Sequence, residues 1–98
     1  MTVTRKLIRV DGTEEELHGP HAIADVQLMI GASTLDTVTL RSWGHPLHVM
    51  LVDDTGMIDG KPVNARATEL YHAQCRPGNP YSIHGDVVIV PDGDYAGM

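Results

Sequence analysis

Leu47-His48-Val49-Met50-Leu51-Val52, residues 47–52, is apolar at both parities: Leu47, Val49 and Leu51 alternate with His48, Met50 and Val52. Successive side chains of a strand point to opposite faces of a sheet, so a run apolar on both faces marks a strand in the sheet interior. Residues 87–90, Val87-Val88-Ile89-Val90, read the same way. Residues 37–43 behave differently. There Val38 and Leu40 share one face, while Thr37, Thr39, Arg41 and Trp43 share the other, as in a half-buried strand.

Working outward, residues 3–10 and 13–17 flank Asp11-Gly12. Asp-Gly is the favoured pair for a two-residue hairpin turn, whose two positions both need positive φ, and the segment is predicted to form a β-hairpin. Gly19-Pro20 ends it. Beyond the break, Ala22, Ile23, Val26, Met29 and Ile30 recur at the spacing of one helical face, and Gly31 stands where a helix ends in a left-handed residue. A helix is predicted over 20–31. Asn64 is a good N-cap for a second helix, which carries Ala67, Leu70, Tyr71, Gln74 and Cys75 on one side and Arg66, Glu69, His72 and Arg76 on the other. Pro77 and Gly78-Asn79-Pro80 stop it.

The order hairpin, helix, two strands, helix, strand predicts a single α+β domain over 1–98. It would hold one mixed or antiparallel sheet of about five strands with both helices packed on one face. Residues 92–98 are expected to be a flexible tail.

Composition restricts function. The 98 residues carry a formal charge of -6, with only seven Lys and Arg, which argues against direct nucleic-acid binding because phosphate contacts need clustered cations. Cys75 is the single cysteine, so no internal disulfide forms and no oxidising compartment is implied. Arg5 and Lys6 are not followed by an apolar run of signal-peptide length, and nothing approaches the ~18 apolar residues of a membrane span. A cytoplasmic protein without membrane contact is expected.

Six histidines invite a metal reading through His18/His21, His45/His48 and His72/Cys75. Positions three apart on a strand face opposite ways, His18 and His21 straddle a break, and Cys75 lies on an apolar face. Ordinary surface and core histidines are the expectation, with no metal and no cofactor. Ser33, Ser42 and Ser82 have no local context that supplies a base, and no phosphate-binding glycine loop is present, so no catalytic residue is assigned and an enzyme is not expected.

Two places could take a ligand. Residues 60–71, Gly60-Lys61-Pro62-Val63-Asn64-Ala65-Arg66-Ala67-Thr68-Glu69-Leu70-Tyr71, open a helix whose free N–H groups favour an anion, while Arg66 opposes the dipole. Capping by Asn64 and a solvated Arg66–Glu69 pair are the plainer explanation. On the predicted 37–43 strand, Arg41 and Trp43 could stack a planar group, although covering a helix or lining a dimer contact is commoner for such a Trp. The candidate ligand-binding residues are therefore Arg41, Trp43, Asn64, Arg66, Thr68 and Tyr71.

The run Gly60-Lys61-Pro62-Val63-Asn64-x-x-Ala67-Thr68-x-Leu70-Tyr71, taken with Ile30-Gly31, the acidic turn at Gly56 and the closing Ile83-His84-Gly85-Asp86-Val87-Val88-Ile89-Val90, resembles an uncharacterised family. Its members are small phage, prophage and plasmid proteins described only as a domain of unknown function. The likeness runs from about Ala22 onward and departs at residues 73–82, which are longer and richer in histidine. The resemblance implies a mobile-element accessory protein acting in the host bacterial cytoplasm. It would bind a host factor, either by sequestering a small nucleotide-like immune signal as an anti-defence protein or by inhibiting a host protein stoichiometrically. The sequestering version predicts a pocket between subunits of a homodimer or higher homo-oligomer. The inhibitory version predicts an exposed apolar or acidic patch. A small metal-dependent enzyme using the histidines is the alternative of a different class.

Overall fold

The computed structural model describes residues 3–43, 46–75, 77–78 and 80–94. The chain forms β1 (Lys6–Ile8), β2 (Glu14–Glu16), α1 (Ile23–Ile30), β3 (Leu35–Leu40), β4 (His48–Asp53), α2 (Ala65–His72) and β5 (Val87–Pro91). The strands make one antiparallel five-stranded sheet in the order β2-β1-β5-β4-β3. The two doubly apolar runs lie inside it: β5 is central and β4 adjoins it, and every residue of both strands is buried.

Helix placement departs from the expectation of one covered face. Met50, Val52, Val87, Ile89, Ile8 and Leu40 pack against Ala67 and Leu70 of α2. Val49, Leu51, Val88, Val90 and Leu7 pack against Val26 and Ile30 of α1. The helices cover opposite faces. A strand apolar at both parities exposes one apolar row if only one face is covered, and burying a Val, Leu or Ile side chain contributes roughly 1.5–3 kcal/mol. One helix on each side removes both rows from water.

The hairpin also differs in detail. The register Ile8↔Glu14 and the bond from Arg9 N–H to the Thr13 carbonyl (2.9 Å) leave Val10-Asp11-Gly12 as a three-residue loop. Only Gly12 has positive φ (91°), while Asp11 spends its carboxylate on the Thr13 N–H and hydroxyl. This is the tighter-twisting loop with one glycine in place of the two-residue turn.

Helix α1 starts at Ile23, three residues after Pro20, and closes at Gly31 in the left-handed region. Helix α2 ends at His72, so Gln74 and Cys75 lie in the following turn. Gln74 there joins the end of α2 to Ser42, donating to its hydroxyl (2.7 Å) and accepting from its N–H (3.2 Å). Strand β3 stops at Leu40, and Arg41–Trp43 winds into a 3-10 turn. Of the expected tail, Asp92–Asp94 also forms a 3-10 turn, anchored by Asp94 on Arg5 (2.8 and 2.9 Å), and 95–98 lie outside the described residues.

Candidate functional site

Three polar side chains between Lys61 and Thr68, those of Lys61, Asn64 and Thr68, are bound to distant parts of the fold. Asn64 is fully buried. Its Oδ1 accepts from Ala67 N–H (3.0 Å), capping α2, and its amide nitrogen donates to the carbonyls of Ile8 (3.1 Å) and Gly85 (3.0 Å). One side chain therefore caps a helix and joins the chain beside β5 to β1. Thr68 accepts from Ile83 N–H through its hydroxyl (2.9 Å). The Lys61 ammonium donates to the carbonyls of Ile30 (3.0 Å) and Gly31 (2.7 Å) and pairs with Asp53. A cation on the last carbonyls of α1 meets the negative end of its dipole.

Asp53 is 1% exposed at its side chain. Burial, the largest single influence, pushes its carboxyl up. The Lys61 ammonium, the Thr55 N–H and the Thr55 hydroxyl together outweigh burial and hold it below the usual carboxylate value.

His48 is likewise a core histidine. Its Nδ1 lies 2.8 Å from the Pro46 carbonyl, which can only accept, so Nδ1 carries the hydrogen and Nε2 accepts from Thr4 N–H (2.9 Å). His45 lies outside the described residues. Among the described residues no three His, Cys, Asp or Glu side chains stand together as metal ligands would.

The candidate ligand residues do not converge. Arg41 is exposed at the start of its 3-10 turn. Trp43 does not share a strand face with it. The indole packs on the α2-side core, 5.6 Å from the His48 ring, with the Lys6 ammonium 5.6 Å from its centroid. Tyr71 packs against the same core. Arg66 is exposed, 3.8 Å from Glu69, a loose surface pair that contributes little. Asn64 and Thr68 are occupied as described. None of the six lines the cleft of about 290 Å3 described next, or those of about 400 and 510 Å3 beside β1 and α1.

That cleft opens on the α2 face at the start of β3. Val52, Met57, Ile58 and Ile83 supply its apolar lining, Asp36, Asp53 and Asp54 its carboxylates, and Ser82 and His84 its remaining polar groups. Two of its apolar residues are strongly exposed, Ile58 at 85% and Met57 at 54%. Behind it the wall is tight. A Cβ on Gly56 would sit 2.6 Å from the His84 carbonyl oxygen.

Ser82 and His84 contradict the reading that no serine has a base beside it. His84 Nδ1 lies 2.8 Å from the Lys61 carbonyl and carries a hydrogen, so in the neutral ring Nε2 is the acceptor for the Ser82 hydroxyl 2.8 Å away. Residues two apart in an extended segment point the same way, and the Ser82-x-His84 spacing was the local signal for this pair. A hydroxyl on a neutral imidazole is the first part of a nucleophilic site. The second part is a group that receives developing negative charge, and the charged side chains lining this cleft are carboxylates, which repel it.

No helix among the described residues is long and apolar enough to cross a membrane. No family model matches the chain, and neither a curated protein nor a solved structure is significantly similar to it.

Proposed function

We propose that the chain is a non-enzymatic accessory protein of a phage or other mobile element that binds a host protein stoichiometrically in the bacterial cytoplasm. The observation that carries this reading is the coincidence of Ile58 and Met57, exposed and apolar, with the acidic cleft at the β3 edge. Large apolar side chains gathered at a concave, polar-rimmed surface are how a protein-binding site differs from ordinary surface. Asp36 and Asp54 at the rim suit a partner that presents an apolar side chain flanked by Lys or Arg.

Sequestration of a nucleotide-like signal is the weaker version of the same class. Phosphates need cations or free N–H groups, whereas this cleft is lined by three carboxylates. The nearby Lys61 ammonium is committed to Asp53 and two carbonyls. Arg41 and Arg66, the cations named for such a ligand, lie away from it.

The test compares three tagged forms of the protein in lysate from a bacterial host: unaltered, Ile58→Asp, and Arg41→Ala with Arg66→Ala. Native mass spectrometry of the re-isolated complex, before and after heating, distinguishes a bound protein from a released small molecule. The proposal expects one host protein in fixed ratio with the unaltered and double-arginine forms and none with Ile58→Asp. A small molecule released from the unaltered form and missing from the double-arginine form would overturn it.

A further inference from the structure

We infer that the partner is captured as an extended segment that adds a sixth strand to the edge at β3, with a Lys or Arg of that segment taking the Asp36 carboxylate. The inference rests on the protein-binding reading above and specifies what the cleft holds.

The sheet has two edges, and they are unlike. Strand β2 is Glu14-Glu15-Glu16, three residues and all exposed, a charged and short edge of the kind that prevents strand pairing. Strand β3 is Leu35-Asp36-Thr37-Val38-Thr39-Leu40, twice as long, with β-branched residues at 37–39 and a single charge.

Its outward groups follow from the register. Asp54 N–H bonds the Thr34 carbonyl, so Thr34 and, by antiparallel alternation, Asp36, Val38 and Leu40 exchange bonds with β4. The N–H and C=O groups of Leu35, Thr37 and Thr39 therefore point away from the sheet. Among the described residues, one of these N–H groups has an acceptor: Thr37 N–H is held by the neighbouring Asp36 carboxylate at 2.9 Å. The carboxylate occupies the position that a carbonyl of an added strand would take. An incoming strand replaces it there and frees Asp36 to pair with a cation on the same strand.

The adjoining surface agrees. Asp36 and Val52 are paired across β3 and β4, and both line the cleft, so a strand laid along β3 passes its mouth. Alternate side chains of that strand point to the α2 face, where Asp36, Ile58 and Met57 lie. Main-chain bonds would then give affinity and the cleft would read side chains. A second copy is a poor occupant, because pairing β3 with itself brings together two chains of charge -6 and two Asp36 carboxylates.

The experiment uses the full chain, labelled with 15N, and synthetic hexapeptides: alternating Lys and Val, alternating Glu and Val, and the Lys–Val peptide N-methylated on alternate residues to remove one edge of donors. The Lys–Val peptide is expected to shift the amides of Leu35, Thr37 and Thr39 and to slow their hydrogen exchange about tenfold at saturation. The Glu–Val peptide and at least one N-methylated register should leave them unchanged. Asp36→Asn should weaken Lys–Val binding about 2- to 5-fold, as loss of an exposed ion pair does. Shifts confined to β2 or α2, binding unaffected by every N-methylation pattern, or dimerisation through β3 in place of peptide binding would each overturn the inference. Partner capture lost in Ile58→Asp with β3 silent to peptide refutes strand addition alone. Capture unaffected by Ile58→Asp refutes the cleft as the docking site.

Discussion

Replacing Asn64 separates helix capping from the clamp between strands. Asn64→Ala removes the cap of α2, which is about 1 kcal/mol, and leaves the Ile8 and Gly85 carbonyls without their buried donor, about 1–2 kcal/mol each. The sum is about 3–5 kcal/mol, a large share of the roughly 5–15 kcal/mol that holds a domain together. For a chain of this size it corresponds to a melting point lower by roughly 15–30 °C. Asn64→Asp is the informative variant. At an exposed N-cap, Asp equals Asn and gains from the helix dipole. Here the change turns a donating amide into an oxygen aimed at two carbonyls, with a charge at a fully buried position. Its stability should therefore fall at least as far as that of Asn64→Ala. Urea titration followed by circular dichroism measures both. An Asn64→Asp protein within about 0.5 kcal/mol of the parent would refute the clamp and leave Asn64 as a cap alone.

Other expectations follow from the same contacts. Asp53 has a folded pKa below its ordinary 3.8, so its contribution is present above that value and is lost as pH falls through the folded value. Asp53→Asn should flatten the loss of stability between about pH 5 and pH 2, read as urea midpoints against pH, and an unchanged slope would contradict the assignment. Lys61→Met strands the buried Asp53 carboxylate and should cost about 3–5 kcal/mol at neutral pH, while the double variant Lys61→Met with Asp53→Leu recovers much of it. Gly56→Ala forces a methyl onto the His84 carbonyl and should lower the melting point, whereas Gly93→Ala, where a Cβ meets nothing within 4 Å, should not. Ser82 should resist a fluorophosphonate probe despite its imidazole neighbour, because the cleft's carboxylates oppose the negative charge that builds on the phosphoryl oxygen as the serine displaces fluoride; labelling of Ser82 by intact-mass analysis would reopen catalysis.

The parts of this structure that were legible in the sequence are those set by local pattern. Residues 47–52 and 87–90 announced interior strands, Gly31 a helix end, and Asn64 a cap. The opposite placement of the helices was also written there, since a strand apolar at both parities demands cover on both sides. That consequence follows only once β4 and β5 are considered together with each helix stripe. Trp43 was not legible. The alternation of Val38 and Leu40 runs on smoothly to residue 43, and the break into a 3-10 turn is decided by packing on the α2-side core and by Gln74, thirty-two residues away from Ser42.

The six candidate ligand residues do not converge on one cleft, for a related physical reason. Asn64 and Thr68 look functional because they are polar and closely spaced, but their partners are Ile8, Gly85 and Ile83, remote in sequence. Polar residues spent on distant backbone groups cannot be told from free ones until the chain is folded. Met57 and Ile58 were overlooked for the opposite reason. They follow the acidic turn and belong to no periodic stretch, and only the fold reveals that both are exposed beside the cleft.

Photocrosslinking in the bacterial host decides whether partners dock at the β3 cleft, away from Arg66. Benzoylphenylalanine replaces Ile58 in one protein and Arg66 in another, both at exposed positions where folding tolerates change. Docking at the cleft gives a single discrete protein adduct from position 58 and none from position 66. An adduct from position 66 with none from 58 would contradict it.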